Sequence, residues 1–360
     1  MPHARVQAAI EAFARGEMIV VTDDDDRENE GDLFVAASLC TPDKMAFIIR
    51  HTSGIVCAPL PRAEAQRLRL DPMVSSNDAP LGTAFTVTVD VKHGLTTGIS
   101  SEERTNTVRA LANGNSGASD FVRPGHVFPL IAREGGVLTR TGHTEACVDF
   151  CIAAGLPPVG VLAELVNDSG SVMRGPEVTA FAQAHGLAQA SIAELIAWRQ
   201  SREKLVERVA TFTVDTVIGK VTAHAYKTPF DAVHHLAFVH GSVGDGKDVP
   251  TRLHRADVVR DIFGGAPGIN IALEYFKREG KGVLVYLRDG TEGVPATAMV
   301  DNEATASEAA RLQQWREVGV GAQILRDLGC ASIKLVTRSD PKRFVGLSGF
   351  GITITGLAEV

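Results

Sequence analysis

The residues with the clearest capacity for chemistry are the acids of Asp23-Asp24-Asp25-Asp26-Arg27-Glu28-Asn29-Glu30-Gly31-Asp32, which follow the apolar stretch Met18-Ile19-Val20-Val21. Seven carboxylates in ten residues repel one another unless a positive group sits among them. Hard divalent cations such as Mg²⁺ and Mn²⁺ prefer carboxylate oxygen, so such a run at the end of a strand is either a metal-assisted site or a solvated acidic loop. Two details favour the site. The guanidinium of Arg27 can hold a phosphate or orient an acid, and Gly31 lets the backbone turn tightly. A calcium-binding EF-hand loop begun at Asp26 would place Gly31 at its sixth position but Ala37 at its twelfth, where a bidentate Glu is required. Calcium sensing is therefore rejected.

Three further segments combine glycine with polar residues where plain core would not. Arg123-Pro124-Gly125-His126-Val127-Phe128-Pro129 sets a histidine after a Pro-Gly turn. Alone, His126 reads as a core or turn histidine, because one imidazole has no chemistry without neighbours. Arg140-Thr141-Gly142-His143-Thr144-Glu145 stands between the strand-like Gly136-Val137-Leu138-Thr139 and a helix. Free N–H groups at a helix start, with an Arg and two hydroxyls, form an anion cradle of the kind phosphates use, and His143 adds a possible metal ligand. The alternative is a capped helix with a surface Arg. Glu164 is the one charge in Val159-Gly160-Val161-Leu162-Ala163-Glu164-Leu165-Val166. A lone carboxylate in a buried strand is costly unless paired, so it marks function or an ion pair. Together these residues suit enolisation of a phosphorylated ketose, with a divalent metal on adjacent oxygens and a His and a Glu moving protons.

The elements that must position these groups are those of an α/β protein, with mixed sheets and helices. Val6, Ile10 and Phe13 lie at helical spacing near the N-terminus. Phe85, Val87, Val89 and Val91 alternate with Thr or Asp, which predicts a half-buried strand. Ser100 with Glu103 reads as a capping box opening a helix to about residue 113. Cys147, Phe150, Cys151 and Ala154 predict a helix over 144–155, and 159–166 reads as a buried strand. A charged helix over about 191–208 joins two halves. Beyond it, apolar runs at 236–239, 283–286 and 333–336 alternate with helical patterns at 269–278 and 303–328, giving a second α/β unit.

At 360 residues, 44% hydrophobic and 22% charged, the chain has the composition of a soluble globular protein with two domains, divided as 1–205 and 206–360. The net charge is −7, and Lys and Arg form no long basic run, which argues against a nucleic-acid surface. Five cysteines, odd in number and without a CxxC pair, suit a reducing compartment. No segment reaches the roughly 18 apolar residues of a membrane span, and the N-terminus lacks a signal-peptide core. These features point to the cytoplasm.

The segments DDDDRENEGDL (23–33), HTSGIVCAPL (51–60), GTAFTVTVD (82–90), LTTGIS (95–100), RPGHVFPL (123–130) and GGVLTRTGHTEA (135–146) resemble 3,4-dihydroxy-2-butanone 4-phosphate synthase. The resemblance covers residues 1 to about 200 in the family's order. It implies conversion of D-ribulose 5-phosphate to L-3,4-dihydroxy-2-butanone 4-phosphate and formate, a step of riboflavin biosynthesis. It further implies Mg²⁺ or Mn²⁺, two ions per site, with Glu28 and His143 as ligands. Arg27, Glu28, Asp32, Arg140, Thr141, Gly142, His143, Thr144 and Glu164 would contact substrate, and His126 and Glu164 would be the acid/base pair. Cys57 and Glu30 would line the pocket. The family's homodimer implies that some pocket residues come from a partner chain.

Residues 210–360 resemble GTP cyclohydrolase II through HHLAFVHG (234–241), RLHRADVVRDIFG (252–264) and VGVGAQILRDLGCASIKLVT (318–337). The departures fall on the chemistry. Where that family holds zinc with three cysteines, this chain has Asp257, Gly268 and Asn270, so no zinc is expected there. Asp289 to Val294 replace a glycine-rich family segment, and Gln314 stands where an acid would precede Arg316. The stretch from Gly241 through Gly246, Lys247 and Asp248 imitates a phosphate loop, but Asp248 stands where Ser or Thr is needed and Pro250 follows. It reads as a hairpin turn. The second half is thus expected to have lost cyclohydrolase activity; the alternatives are a bifunctional enzyme and a regulatory or interaction module.

Overall fold

Residues 2–23, 28–79, 81–229, 233–288, 318–337, 347 and 351–358 are described by a computed structural model, which divides into two units, Met1–Trp198 and Arg199–Val360. The first unit opens with α1 (Pro2–Ala14), whose Val6, Ile10 and Phe13 are all buried, as their helical spacing requires. Then come β1 (Ile19–Thr22), β2 (Gly31–Ala36), α2 (Pro42–His51), β3 (Cys57–Pro61), α3 (Arg62–Arg67), β4 (Val89–Val91), α4 (Ser101–Leu111), β5 (Phe121–Ala132), α5 (His143–Ala153), β6 (Gly160–Glu164), α6 (Pro176–Ala184), β7 (Ala188–Ser191) and α7 (Ile192–Arg202). The seven strands form a mixed sheet in the order β4-β5-β3-β6-β2-β1-β7.

Register puts the chemistry on one row of this sheet. Cys57 stands opposite Phe128 on β5 and Leu162 on β6, and Asp32 of β2 stands opposite Glu164. Two residues from Phe128 and from Leu162, toward the same end of the sheet, are His126 and Glu164. His126, Glu164 and Asp32 therefore line one row, and by strand alternation they share a face. Leu33, Val35, Val127, Val161 and Ala163, on the other face, belong to one buried core. The face of the row is covered by α5, where Phe150 meets Phe34 and Phe13 at ring separations of 6.3 and 6.0 Å.

Three sequence expectations for residues up to 208 need correction. The strand expected over 85–91 is regular only at Val89–Val91. Upstream, its backbone divides between partners, with Val87 N donating to Asp71 O and Thr86 N to Pro129 O. Gly136–Leu138 is a 3₁₀ turn, not a strand. Gly135 and Gly136 have φ of 87° and 61°, and the Asp149 carboxylate accepts from Val137 N at 2.9 Å, which curls the segment under α5. α7 ends at Arg202, and Arg208 lies on the following strand, paired with Asp327 at 2.6 Å.

The second unit holds β8 (Glu207–Thr216), β9 (Gly219–Lys227), β10 (His235–His240), β11 (Val249–Arg255), α8 (Pro267–Glu279), β12 (Gly282–Leu287), β13 (Ser332–Leu335) and β14 (Thr353–Leu357). Their order is β14-β13-β11-β12-β10-β9-β8, around a core that includes Val239, Val283, Val285, Ile324 and Ile333. The glycine-rich loop 241–248 is a turn but not a hairpin. It joins β10 to β11, and β12 lies between those two strands. Of the helix expected over 303–328, residues 318–327 are helical; residues 289–317, with Gln314 and Arg316, lie outside the described residues.

Candidate active site

β1 delivers the chain to Asp23, whose carboxylate accepts from the backbone N–H groups of Glu28 (3.0 Å) and Glu30 (2.9 Å). Asp23 thereby holds the backbone of Glu28 and Glu30 beside the start of α5. His143 is the first residue of α5, and its Nδ1 lies 3.5 Å from Glu28 Oε2 and 4.0 Å from Asp32 Oδ2. One ligand atom each from Asp23, Glu28 and His143 falls within 4.8 Å of the others. Among the described residues, Oδ1 of Asp32 and Nε2 of His143 are buried without a hydrogen-bond partner, a state that is costly unless another group meets them. Two carboxylates and an imidazole around buried, unpartnered polar atoms fit a hard divalent cation.

The electrostatics agree. Burial, with Glu164, Glu28 and Asp23 nearby, lifts the Asp32 carboxyl to about 7 against the pull of His143. Burial disfavours charge on His143, but Asp32, Glu28 and Asp23 outweigh it and raise the imidazole to about 9. A proton on His143 thus supplies the positive charge that the carboxylates need, and a cation would compete with it.

The neighbouring groups sort into distinct roles. Glu164 ends β6 half-buried, its Oε2 accepting from Ser53 Oγ at 2.7 Å. Cys57 is buried beneath the row, where burial and the nearby acids push its thiol far up. Glu30 pairs with Arg174 at 3.2 Å, while Glu28 and Asp23 remain near enough to act on its carboxylate. Thr141 and Thr144 are buried beside His143, and Gly142 is the residue before α5, which no side chain caps. Arg27 lies outside the described residues.

Arg140 differs from the open anion clamp that its motif suggests. It is buried, with Nη1 2.6 Å from Glu145 Oε2 and Nη2 donating to Leu81 O and Thr83 Oγ1. A Cβ at Gly142 would fall 2.2 Å from Arg140 Nη1, so glycine is needed for this pair to form. Arg140→Ala would leave the Glu145 charge buried and unpaired, and a loss of about 3–5 kcal/mol is expected in urea unfolding.

His126 of β5 is half exposed, with Nδ1 2.7 Å from Asp90 Oδ2. Adjacent strands lie about 4.8 Å apart, so the backbones of His126 and Glu164, two strands apart, are separated by about 10 Å. Ser53 and Asp90 adjoin the candidate site without having been singled out in the sequence, and Asp23 was marked there only as a member of the acid run. Asp90 carried a usable signal, a carboxylate between Val89 and Val91, of the same kind that drew notice to Glu164.

Residues 7–198 match the family model of 3,4-dihydroxy-2-butanone 4-phosphate synthase, and residues 207–359 that of GTP cyclohydrolase II. The chain belongs to the 3,4-dihydroxy-2-butanone 4-phosphate synthase family. Like its family, it is a lyase-type enzyme of riboflavin biosynthesis, converting D-ribulose 5-phosphate to L-3,4-dihydroxy-2-butanone 4-phosphate and formate. It is similar to RibBX, a two-domain synthase from A. baumannii, with a TM-score of 0.83 and 35% identity over 98% of this chain and 99% of that one. A synthase structure in complex with two magnesium ions covers 55% of this chain and 97% of its own, with 44% identity and a TM-score of 0.54. The bifunctional riboflavin biosynthesis protein RIBA 1 of Arabidopsis thaliana is 46% identical over 370 residues, covering 98% of this chain and 68% of that protein.

Proposed function

We propose that the synthase reaction in this chain runs at the Asp23–Glu28–Asp32–His143 cluster, with Mg²⁺ or Mn²⁺, two ions per site, held through Glu28 and His143. The observation that carries the reading is the convergence of one ligand atom each from Asp23, Glu28 and His143 within 4.8 Å of one another, with Asp32 Oδ2 4.0 Å from Nδ1 of His143. When bound, the cations polarise adjacent oxygens of the substrate and stabilise the negative charge of enolisation. Asp32 and Arg27 orient the substrate, and the segment leading into α5, Arg140 through Thr144, receives its phosphate end. His126 and Glu164 move the protons, Glu164 being held by Ser53. Cys57 and Glu30 frame the pocket. The enzyme works as a homodimer in the cytoplasm; five free, buried cysteines accord with a reducing compartment.

The second domain, on this reading, has lost cyclohydrolase activity and serves as a binding or stabilising module. The three positions that would carry zinc ligands are internally engaged. Asp257 Oδ1 accepts from Arg260 N at 3.0 Å, and Asn270 Nδ2 donates to Gly265 O at 2.7 Å. The space beside Gly268 holds Arg252, whose Nη2 is 2.3 Å from where a Cβ would sit. Incubated with Mg²⁺, the protein should release formate from ribulose 5-phosphate and none from GTP. Formate from GTP would restore the bifunctional reading, and none from ribulose 5-phosphate would sink the site assignment.

A further inference from the structure

We propose that Asp90 is a positioning residue for the reaction, fixing the ring orientation and tautomer of His126. The inference rests on the reading of His126 as an acid/base group. Asp90 is almost fully buried, at 3% side-chain exposure, and spends both oxygens on one residue. Oδ1 accepts the backbone N–H of His126 at 2.8 Å, and Oδ2 lies 2.7 Å from its Nδ1. A carboxylate can only accept, so Nδ1 carries the proton and the Nε2 lone pair of the half-exposed ring is left to work as a base.

Several separate segments are shaped to make this clamp. Val89 pairs with Val127, but the register shifts at Asp90, which pairs with Val122. Such an irregularity re-aims a side chain, here back along β5 toward His126. Gly125 has no side chain because a Cβ there would lie 2.0 Å from the carbonyl carbon of Val89. Gly98, at φ +86°, would put a Cβ 2.1 Å from Asp90 Oδ2 and 2.7 Å from His126 Nδ1. Gly125 N is held by Thr88 Oγ1 at 3.0 Å, and Val91 N by Thr107 Oγ1 at 3.0 Å. A carboxylate that merely joined β4 to β5 would not require the imidazole or the open space at residue 98.

The test is a double-mutant cycle on formate release, with Asp90→Asn, His126→Asn and the pair. Asp90→Asn keeps the shape but can present an N–H to Nδ1, favouring the wrong tautomer. The expected result is a kcat loss of about 100-fold or more, with KM changed by less than about threefold. Because Asp90 acts through His126, the pair should be no slower than His126→Asn alone. Losses that multiply, or a kcat within about threefold for Asp90→Asn, would overturn the proposal. A His126→Asn enzyme of normal rate would instead overturn the acid/base reading on which it rests. Should Asp90→Asn not fold, Asp90→Ser carries the same cycle. Imidazole ¹⁵N shifts of the wild-type protein give a readout independent of activity: the proton of neutral His126 is expected on Nδ1, and a proton on Nε2 would overturn the assignment.

Discussion

His143→Ala is expected to lower formate release from ribulose 5-phosphate by at least about a thousandfold, and Glu28→Ala to do the same. A cation's stabilisation of developing charge is worth several kcal/mol, and about 1.4 kcal/mol is a factor of ten in rate. Both side chains belong to one cluster, so the double variant should be scarcely worse than either single one. Paramagnetic Mn²⁺ titration should show binding lost in step with activity. His143→Ala also removes the cationic group that, among the described residues, stands with Asp23, Glu28 and Asp32, so the folded apoprotein should be less stable than the wild type at neutral pH, with the difference vanishing at high pH. The sign follows from the raised imidazole. Its stabilising contribution is complete below the ordinary histidine value near 6.5 and disappears as pH rises through about 9. A variant with near-normal rate and Mn²⁺ affinity would remove the metal assignment.

Gly125→Ala should be the most damaging single methyl group in the first domain. Its Cβ would lie 2.0 Å from Val89 C, 2.2 Å from Asp90 N and 2.4 Å from Val89 O. All three are backbone atoms, so no rotamer change relieves the contact, and β4 must move off β5. Overpacking of this kind costs about 3 kcal/mol, which for a domain of about 200 residues lowers the melting temperature by about 6–12 °C. Displacement of Asp90 also opens the clamp on His126, so kcat should fall by about 100-fold in whatever fraction remains folded. Gly114→Ala, where nothing lies within 4 Å of the added carbon, is the control and should change neither. A Gly125→Ala protein of normal melting temperature and rate would show that β4 is far more loosely held than the packing indicates.

Much of the site was legible in the sequence because its parts are local. The acid run, the Arg-Thr-Gly-His-Thr turn and the lone Glu164 are each visible within ten residues, and each marks a polar burden that a plain core would not carry. Ser100 proved to be the N-cap of α4, accepting from Glu103 N at 3.2 Å, and the helix predicted to begin at Thr144 begins at His143. The two strand failures lie in where the backbone bonds go. The segments 85–88 and 136–139 are strand-like in composition, but Thr86 and Val87 bond to Pro129 and Asp71, while 136–139 closes local bonds, Leu138 N to Gly135 O and Thr139 N to Gly136 O, with Val137 N held by the Asp149 carboxylate.

The sequence by itself determined the chemistry available to this protein: which carboxylates, imidazoles and guanidinium groups exist, and that the second half holds a single cysteine, Cys330. Only the tertiary structure decided how those groups are spent. It commits Arg140 to Glu145, turns Glu30 to Arg174, brings Asp23 into the cation cluster and sets Asp90 behind His126. The physical reason is that a side chain's role depends on what it meets when desolvated. Glu30 meets a partner 144 positions along the chain, and His126 one 36 positions away. Such meetings are set by sheet order and register, which no short window of residues contains.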